Sequence, residues 1–345
     1  MSLVSSIIPV HNRAKMLAVA VQSVADQTYR PIEIIVVDDG STDETPQVAD
    51  DLARQRPNEI RVLHTKNQGP GLAREAGRQA ARGEFIQYLD SDDRLTSGKF
   101  AAEVAALRSH PECGAAYGCT RLVNEKGDVL AAPFKRTGEA LPELFPHLLI
   151  ERWWNTHTPL YRRSVCDRVG PWADMWLSED WDYDARVGGL KTRLVHCPEY
   201  LSDQVFHSGD RLTGKGVGPQ FIRDHTRVLG TLYRNAVQAG VSADSSQMRA
   251  FSRWAFLVAR QAGDLRLPSE ARECFQLARR AAGEERARGL DFRLYAAFSR
   301  LFGWTLPGRI CCFRERWAAH FAARGRDGGY TVGHAANPAQ ERPES

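Results

Sequence analysis

The chain has 345 residues, 43% of them hydrophobic and 26% charged, with a formal charge of +4. That balance is globular and long enough for two packed units, and it excludes low-complexity and collagen-like classes. The seven cysteines are odd in number and form no Cys-x-x-Cys pair, which argues against a disulfide framework or a zinc ribbon and suits a reducing cytosol.

No run reaches the roughly 18 apolar residues of a membrane span. Met1 to Ser6 carries no basic leader ahead of an apolar stretch, so no secretory signal is expected. Leu3 to Val10 reads as a buried strand, and Ala14 to Ala25 as a helix with Leu17, Val21 and Val24 on one face. Ile32 to Val37 is a second strand, broken only by Glu33, and it runs into Asp38-Asp39-Gly40-Ser41. Ser41 with Glu44 three residues on matches a capping box for the next helix. Ile60 to Leu63 is a third strand, Gly71 to Arg82 a helix, and Glu84 to Leu89 a fourth strand ending in Asp90-Ser91-Asp92-Asp93; Ala115 to Val123 follows as a further strand. This alternation predicts a mostly parallel sheet flanked by helices on both faces. In such sheets ligands bind beyond the carboxyl ends of the strands. The polar clusters Pro9-Val10-His11-Asn12, Asp38-Asp39 and Asp90-Ser91-Asp92 fall at those ends.

Two carboxylates on the tight turn Asp90-Ser91-Asp92 repel each other unless a cation neutralises them, and Mg2+ or Mn2+ on a diphosphate is a natural partner. An isolated Asp-x-Asp is more often a solvated turn. Its place after a buried strand, with Asp38-Asp39 after another, favours a site. Read singly, Glu179-Asp180 fits an acidic helix N-terminus, Arg74 a surface pair with Glu75 or Glu84, and His207 a structural histidine. Trp153, Trp154, Trp172, Trp176 and Trp181 suit either a core or a sugar-facing cleft.

Taken together and in order, Pro9-Val10-His11-Asn12, Val36 to Asp43, Gly71-Leu72-Ala73-Arg74 and Tyr88 to Asp93 resemble family 2 glycosyltransferases with the GT-A fold. Val169-Gly170-Pro171-Trp172 followed by Glu179-Asp180-Trp181-Asp182 resembles the second-half signature of that family. The resemblance spans residues 3 to 210 and implies an α/β, Rossmann-like GT-A domain with a mostly parallel central sheet. It implies a nucleotide-sugar site at Pro9, Val10, His11, Asp38, Asp39, Arg74, Asp90 and Ser91, with His11 where an aromatic residue often sits beside the base. It implies a Mn2+ or Mg2+ site at Asp92, with Asp90 and His207 as further contacts, and Asp180 as the catalytic base beside Glu179. The implied reaction is inverting transfer from a nucleotide-diphosphate sugar, UDP-linked by preference, to a hydroxyl of a saccharide or glycolipid acceptor in polysaccharide or cell-envelope assembly.

The resemblance stops before residue 220. Beyond it the chain has 20 arginines, no lysine and 12 acidic residues, which leaves the preceding part slightly acidic. The pattern there is helical, with breaks near Gly240, Pro268, Gly283 and Pro307, and Phe251 to Ala282 reads as a helical hairpin. As a helix, Asp291 to Gly303 is expected to put Leu294, Tyr295, Phe298, Leu301 and Phe302 on one face and Arg293 and Arg300 on the other. Such a face either packs against protein or lies in a membrane interface.

The expected organisation is therefore a catalytic domain over 1–220, a membrane- or partner-facing helical region over 221–327, and a disordered tail over 328–345. The expected location is the cytoplasm, with peripheral contact at the inner face of the membrane. No nucleic-acid partner is expected, since no recognition motif accompanies the arginines. A non-catalytic nucleotide- or carbohydrate-binding module stands as the alternative. A nucleotidyltransferase is disfavoured, because Pro9-Val10-His11-Asn12-Arg13 replaces the glycine- and basic-rich loop such enzymes carry after the first strand.

Overall fold

Val4–Val10 (β1) is buried at every position, so it lies inside a sheet covered on both faces. The computed structural model describes residues 2–207 and 217–313, which form two units: 2–148 with 152–207, and 149–151 with 217–313.

The first unit is a mixed sheet. Helix α1 (Ala14–Ala25) leads to β2 (Ile32–Asp39), α2 (Thr45–Gln55) to β3 (Ile60–Thr65), and α3 (Pro70–Ala80) to β4 (Phe85–Tyr88). Then come β5 (Arg94–Leu95), α4 (Lys99–Ser109), β6 (Cys113–Asn124), β7 (Val129–Ala131), β8 (Pro159–Arg162), α5 (Arg163–Val169), α6 (Glu179–Gly189) and β9 (Arg193–Phe206). The strand order is β3-β2-β1-β4-β8-β6-β9-β5, with β7 on β6. Strands β1 to β4 run parallel, β6 and β9 also pair in parallel, and β8 is antiparallel to both its neighbours. The chain turns back at β1, which takes β2 on one side and β4 on the other. That is the switch point at which doubly wound sheets open a crevice.

One face of β1 and β2 meets Leu17, Val21 and Val24 of α1 and continues into Phe100, Val104 and Leu107 of α4. The opposite face receives α3 at Gly77, where a Cβ would sit 2.3 Å from Ile7 Cγ2, so only glycine permits the approach. At the amino ends of the strands the buried polar groups satisfy one another. Ser5 Oγ donates to Glu33 at 2.6 Å and accepts from Gly83 N at 2.7 Å, and Arg82 bonds Glu33 through its backbone N and Nε. Burial pushes Glu33 up, but these bonds outweigh it and hold the carboxyl below its usual range.

The expected capping box at Ser41 and Glu44 does not form, since α2 begins at Thr45. Ser41 Oγ instead accepts from Asn12 N at 2.9 Å, and Asn12 Oδ1 accepts from Thr42 N at 2.7 Å. The residues after β2 are held to the loop after β1, and Asp43 Oδ1 accepts from Thr45 N at 2.9 Å.

The second unit contains α7 (Pro219–Ala239), α8 (Ser246–Asp264), α9 (Pro268–Ala281), α10 (Gly283–Ala287) and α11 (Leu290–Phe302). Ser245 caps α8 by accepting from Met248 N at 3.1 Å. The pair α8–α9 is the hairpin expected over 251–282. Phe256 of α8 stacks on Phe292 at 5.1 Å, and Phe275 of α9 on Tyr295 at 5.3 Å. Of the apolar face expected on α11, Tyr295 turns fully inward and most of the rest faces out. The buried edge of the helix is Phe292, Tyr295 and Ser299, while Leu294, Leu301 and Phe302 are exposed. Periodicity counted apolar residues without knowing that the ring cluster would accept only Phe292 and Tyr295. Among the described residues no helix is long and apolar enough to cross a membrane. The tail expected to be disordered lies outside the described residues.

Candidate active site

The carboxyl ends of β1, β2 and β4 collect most of the residues singled out from the sequence. Pro9 and Val10 close β1, paired with Val37 and Asp38 of β2. Past them Asn12 takes a left-handed φ of 52°, a conformation asparagine tolerates, and turns the chain over the sheet edge. His11 is thereby left half-buried, with Nδ1 2.9 Å from the Asp39 carbonyl oxygen and Nε2 3.2 Å from Asn67 Nδ2.

Asp38 and Asp39, consecutive in a strand, point to opposite faces and find different partners. Asp38 accepts from Ser41 N at 3.1 Å and lies 3.0 Å from His64 Nδ1, a bond that raises the imidazole above its ordinary pKa. Asp39 accepts from Gln68 N at 3.0 Å and Gly69 N at 2.8 Å. With Thr65 Oγ1 also donating to Oδ1 at 3.2 Å, it fixes the loop before α3 and keeps room on Oδ2 for one further donor. Gly69 packs against Trp176, where a Cβ would be 3.2 Å from the indole.

Arg74 on α3 is buried and forks between two acids, Asp90 Oδ1 and Glu179 Oε1, each at 2.6 Å. Its guanidinium lies 4.9 Å from the Trp172 ring centroid, and Trp172 stacks on Tyr183 at 4.1 Å. One cation therefore joins the strand-end turn to the first residue of α6. Burial works against the charge on Arg74, but Asp90 and Glu179 more than offset it. Glu179 is pushed up to about 7, by burial first and by Asp180 second, against the pull of Arg74.

Ser91 is buried in the turn, and Asp92 contacts Arg13 and His207, whose Nε2 is 2.9 Å away. Strand pairing brings His207 there from far along the chain: β5 follows the turn directly and pairs antiparallel with β9, Arg94 opposite Asp203. Asp93 Oδ1 accepts from Val205 N at 2.9 Å, so the residue just after β9 reaches Asp92. Burial pushes Asp92 up, but Arg13 and His207 outweigh it and hold the carboxyl below the usual range.

Asp180, the second residue of α6, contacts Arg152 and lies 3.5 Å from Thr156 Oγ1. The same Arg152 donates from Nε to Asp184 Oδ2 at 2.7 Å. Asp184 is further held by Trp154 Nε1 at 3.2 Å, and burial raises its pKa despite Arg152.

Five residues of consequence were given no role from the sequence. Arg13 lies just past a motif, Arg152 and His157 lie in a stretch without periodicity, Asp93 closes the acidic motif without a role of its own, and Asp184 reads as an ordinary acid. Asp90, Asp93 and His157 offer ligand atoms all within 4.8 Å of one another. His157 Nδ1 lies 2.8 Å from Asp93 Oδ2, at ion-pair distance but without hydrogen-bond alignment. His207 Nδ1 is buried without a hydrogen-bond partner among the described residues. Among the described residues Asp90, Asp93 and His157 are the group that brings three ligand atoms together, while Asp92 and His207 meet each other but do not join it, so the expected set of Asp92, Asp90 and His207 is not gathered on one point. The carboxylates suit Mg2+ or Mn2+. Of the tryptophans, Trp153, Trp154 and Trp172 are core, Trp181 is half-buried with Nε1 donating to Leu148 O at 3.2 Å, and Trp176 is 39% exposed.

Residues 5–165 match the family model described as glycosyl transferase family 2. The chain is 44% identical over 92 residues to the glycosyltransferase GlyG of Streptococcus pneumoniae, which covers 26% of this chain and 30% of that protein. It is 32% identical over 206 residues to an uncharacterized glycosyltransferase of Nostoc sp., covering 56% of this chain and 63% of that one. The matches thus span less than two thirds of these relatives. In fold, the chain resembles S. aureus TarS 1-349 in complex with UDP-GlcNAc, with a TM-score of 0.66 at 17% identity, covering 94% of this chain and 93% of that one. It also resembles the mannosyltransferase PcManGT of Pyrobaculum calidifontis in complex with GDP-Man and Mn2+, with a TM-score of 0.51 at 18% identity, covering 93% and 86%. Sheet, switch point and acidic strand-end turn agree with the family match, which places residues 5–165 in glycosyl transferase family 2, on a GT-A fold.

Proposed function

We propose that the first unit transfers a sugar from a nucleotide-diphosphate sugar, UDP-linked by preference, to a hydroxyl of a saccharide or lipid-linked acceptor, with inversion. The observation that carries this reading is the Arg74 fork, which holds Asp90 of the strand-end turn and Glu179 beside Asp180 on one guanidinium. One guanidinium thus ties the strand-end turn to the residue just before Asp180, which is itself held by Arg152. The nucleotide-sugar complexes of the two solved relatives support the donor class.

In this reading Asp39 accepts from the base or ribose, and His11 and the exposed face of Trp176 flank the nucleoside. Asp92 with Asp90 and His207 would hold Mg2+ or Mn2+, and Asp93 and His157, which gather with Asp90, would add further ligand atoms. When bound, the cation supplies neutralisation of the charge that builds on the departing diphosphate. Arg74 adds a fixed positive charge beside the same turn. Asp180 takes the proton of the acceptor hydroxyl as the new bond forms, and attack opposite the leaving group inverts the anomeric centre. Arg152 orients that carboxylate, and its second anchor at Asp184 keeps it in place.

The test is release of nucleoside diphosphate from a panel of nucleotide sugars with a saccharide acceptor. Asp180→Asn is expected to lower turnover by about 10² to 10⁴ while nucleotide affinity stays at the wild-type value. Undiminished turnover in Asp180→Asn would remove Asp180 from the mechanism.

A further inference from the structure

Helix α11 is amphipathic in the wrong sense for a helix facing water. Its inner edge of Phe292, Tyr295 and Ser299 is buried, yet Leu290, Leu294, Leu301 and Phe302 are 69%, 60%, 77% and 54% exposed. A water-facing helix ordinarily puts charged and polar groups opposite its buried stripe. Leu290, Leu294 and Leu301 fall about opposite that edge at 3.6 residues per turn, with Arg293 and Arg300 between the two.

Beside this stripe, between α9 and α11, lies a pocket of about 240 Å³. Arg272, Gln276 and Arg279 of α9 line it at one-turn spacing, Arg300 closes it from α11, and Phe275 and Trp304 supply apolar wall. None of the three arginines has an ion pair or hydrogen-bond partner among the described residues, although ion pairs are formed elsewhere in this unit by Arg223, Arg286 and Arg288. Converging guanidinium groups repel one another and present up to five N–H donors each, a demand that an anion with several acceptor oxygens meets. The volume lies below the roughly 300 Å³ at which pockets begin to enclose drug-sized ligands, so it suits a head group.

We propose that this pocket binds the phosphate of an anionic membrane lipid, with Leu290, Leu294, Leu301 and Phe302 against the hydrocarbon boundary. The two features are complementary to the two ends of one amphiphile: arginines for the phosphate, and an adjoining bare apolar stripe for the chains. The inference stands independently of the donor reading, because every residue it uses belongs to the helical unit.

The experiment is co-sedimentation of the full chain with vesicles of phosphatidylcholine alone, or of phosphatidylcholine mixed with phosphatidylglycerol. The wild type is expected to partition onto the mixed vesicles and not onto phosphatidylcholine alone. Replacing Arg272, Arg279 and Arg300 together by glutamine is expected to weaken that partition by about a hundredfold, at roughly a factor of five per arginine near an anionic surface. Leu294→Ser with Leu301→Ser is expected to weaken it by a loss that added salt does not change. Brominated phosphatidylglycerol is expected to quench wild-type emission, with less quenching in Trp304→Phe. Equal binding to both vesicle types would overturn the proposal. So would wild-type partition by the triple variant with an unchanged melting temperature, or failure of the folded wild type to partition onto either vesicle type.

Discussion

Arg74 has a carboxylate on each arm of its fork, Arg152 repeats the arrangement with Asp180 and Asp184, and Arg13 meets Asp92. Without such partners the acids gathered here would repel one another and take up protons. In the proposed mechanism Arg152 matters most, because its ion pair holds Asp180. Arg152→Gln is expected to lower kcat by about a hundredfold, the scale of a misplacement of about 1 Å, with nucleotide affinity unchanged by calorimetry. A purely structural Arg152 would show only a lowered melting temperature. Away from the site, Glu33 is held below its usual pKa, so its stabilisation is present above the unfolded value and is lost as pH falls through the folded one. Glu33→Gln should therefore cost about 1.5 to 3 kcal/mol at pH 7, with a smaller difference in acid, as read from urea unfolding at the two pH values.

Most elements over the first 124 residues were legible because the strands are largely apolar and bounded by turn residues and the helices have a period of 3.6, but the two-residue β5 was not. The failures were non-local. Asn12 ties down residues 41 to 43, its backbone N donating to Ser41 and its side chain accepting from Thr42 and Asp43, so the helix after β2 starts at Thr45 and not after Ser41. The inward edge of α11 was set by rings on α8 and α9 that its own sequence does not reveal. Of the site, the strand-end acids were readable from motif and position. Arg13, Arg152 and His157 were not, since nothing in their neighbourhoods marks an arginine or histidine that will be paired across the fold.

Helix α4 shows the same limit from the opposite direction. Lys99 and Glu103 face the core fully buried, joined at 2.6 Å, with Lys99 also donating to Thr158 O at 2.6 Å. Burial pushes Glu103 up to about 7 in spite of Lys99. Lys99→Met is expected to cost about 3 to 5 kcal/mol by leaving a buried acid unpaired, and Lys99→Met with Glu103→Leu to recover most of it. Guanidinium denaturation of both variants checks the pair, and equal loss in single and double variants would contradict it.

Across the whole molecule, charge and chemistry divide between the two units. The sheet unit gathers a group of acids at the carboxyl ends of its strands, where arginines pair with them, and the helical unit carries the excess of arginines. The central claim concerns the first unit, and calorimetry with UDP, GDP and dTDP, each with and without Mn2+, tests it most directly. The account predicts binding of one nucleotide, UDP by preference, that depends on Mn2+ and is lost in Asp92→Ala. Folded protein that binds none of the three, or an Asp92→Ala variant with unchanged Mn2+-dependent affinity, would contradict it.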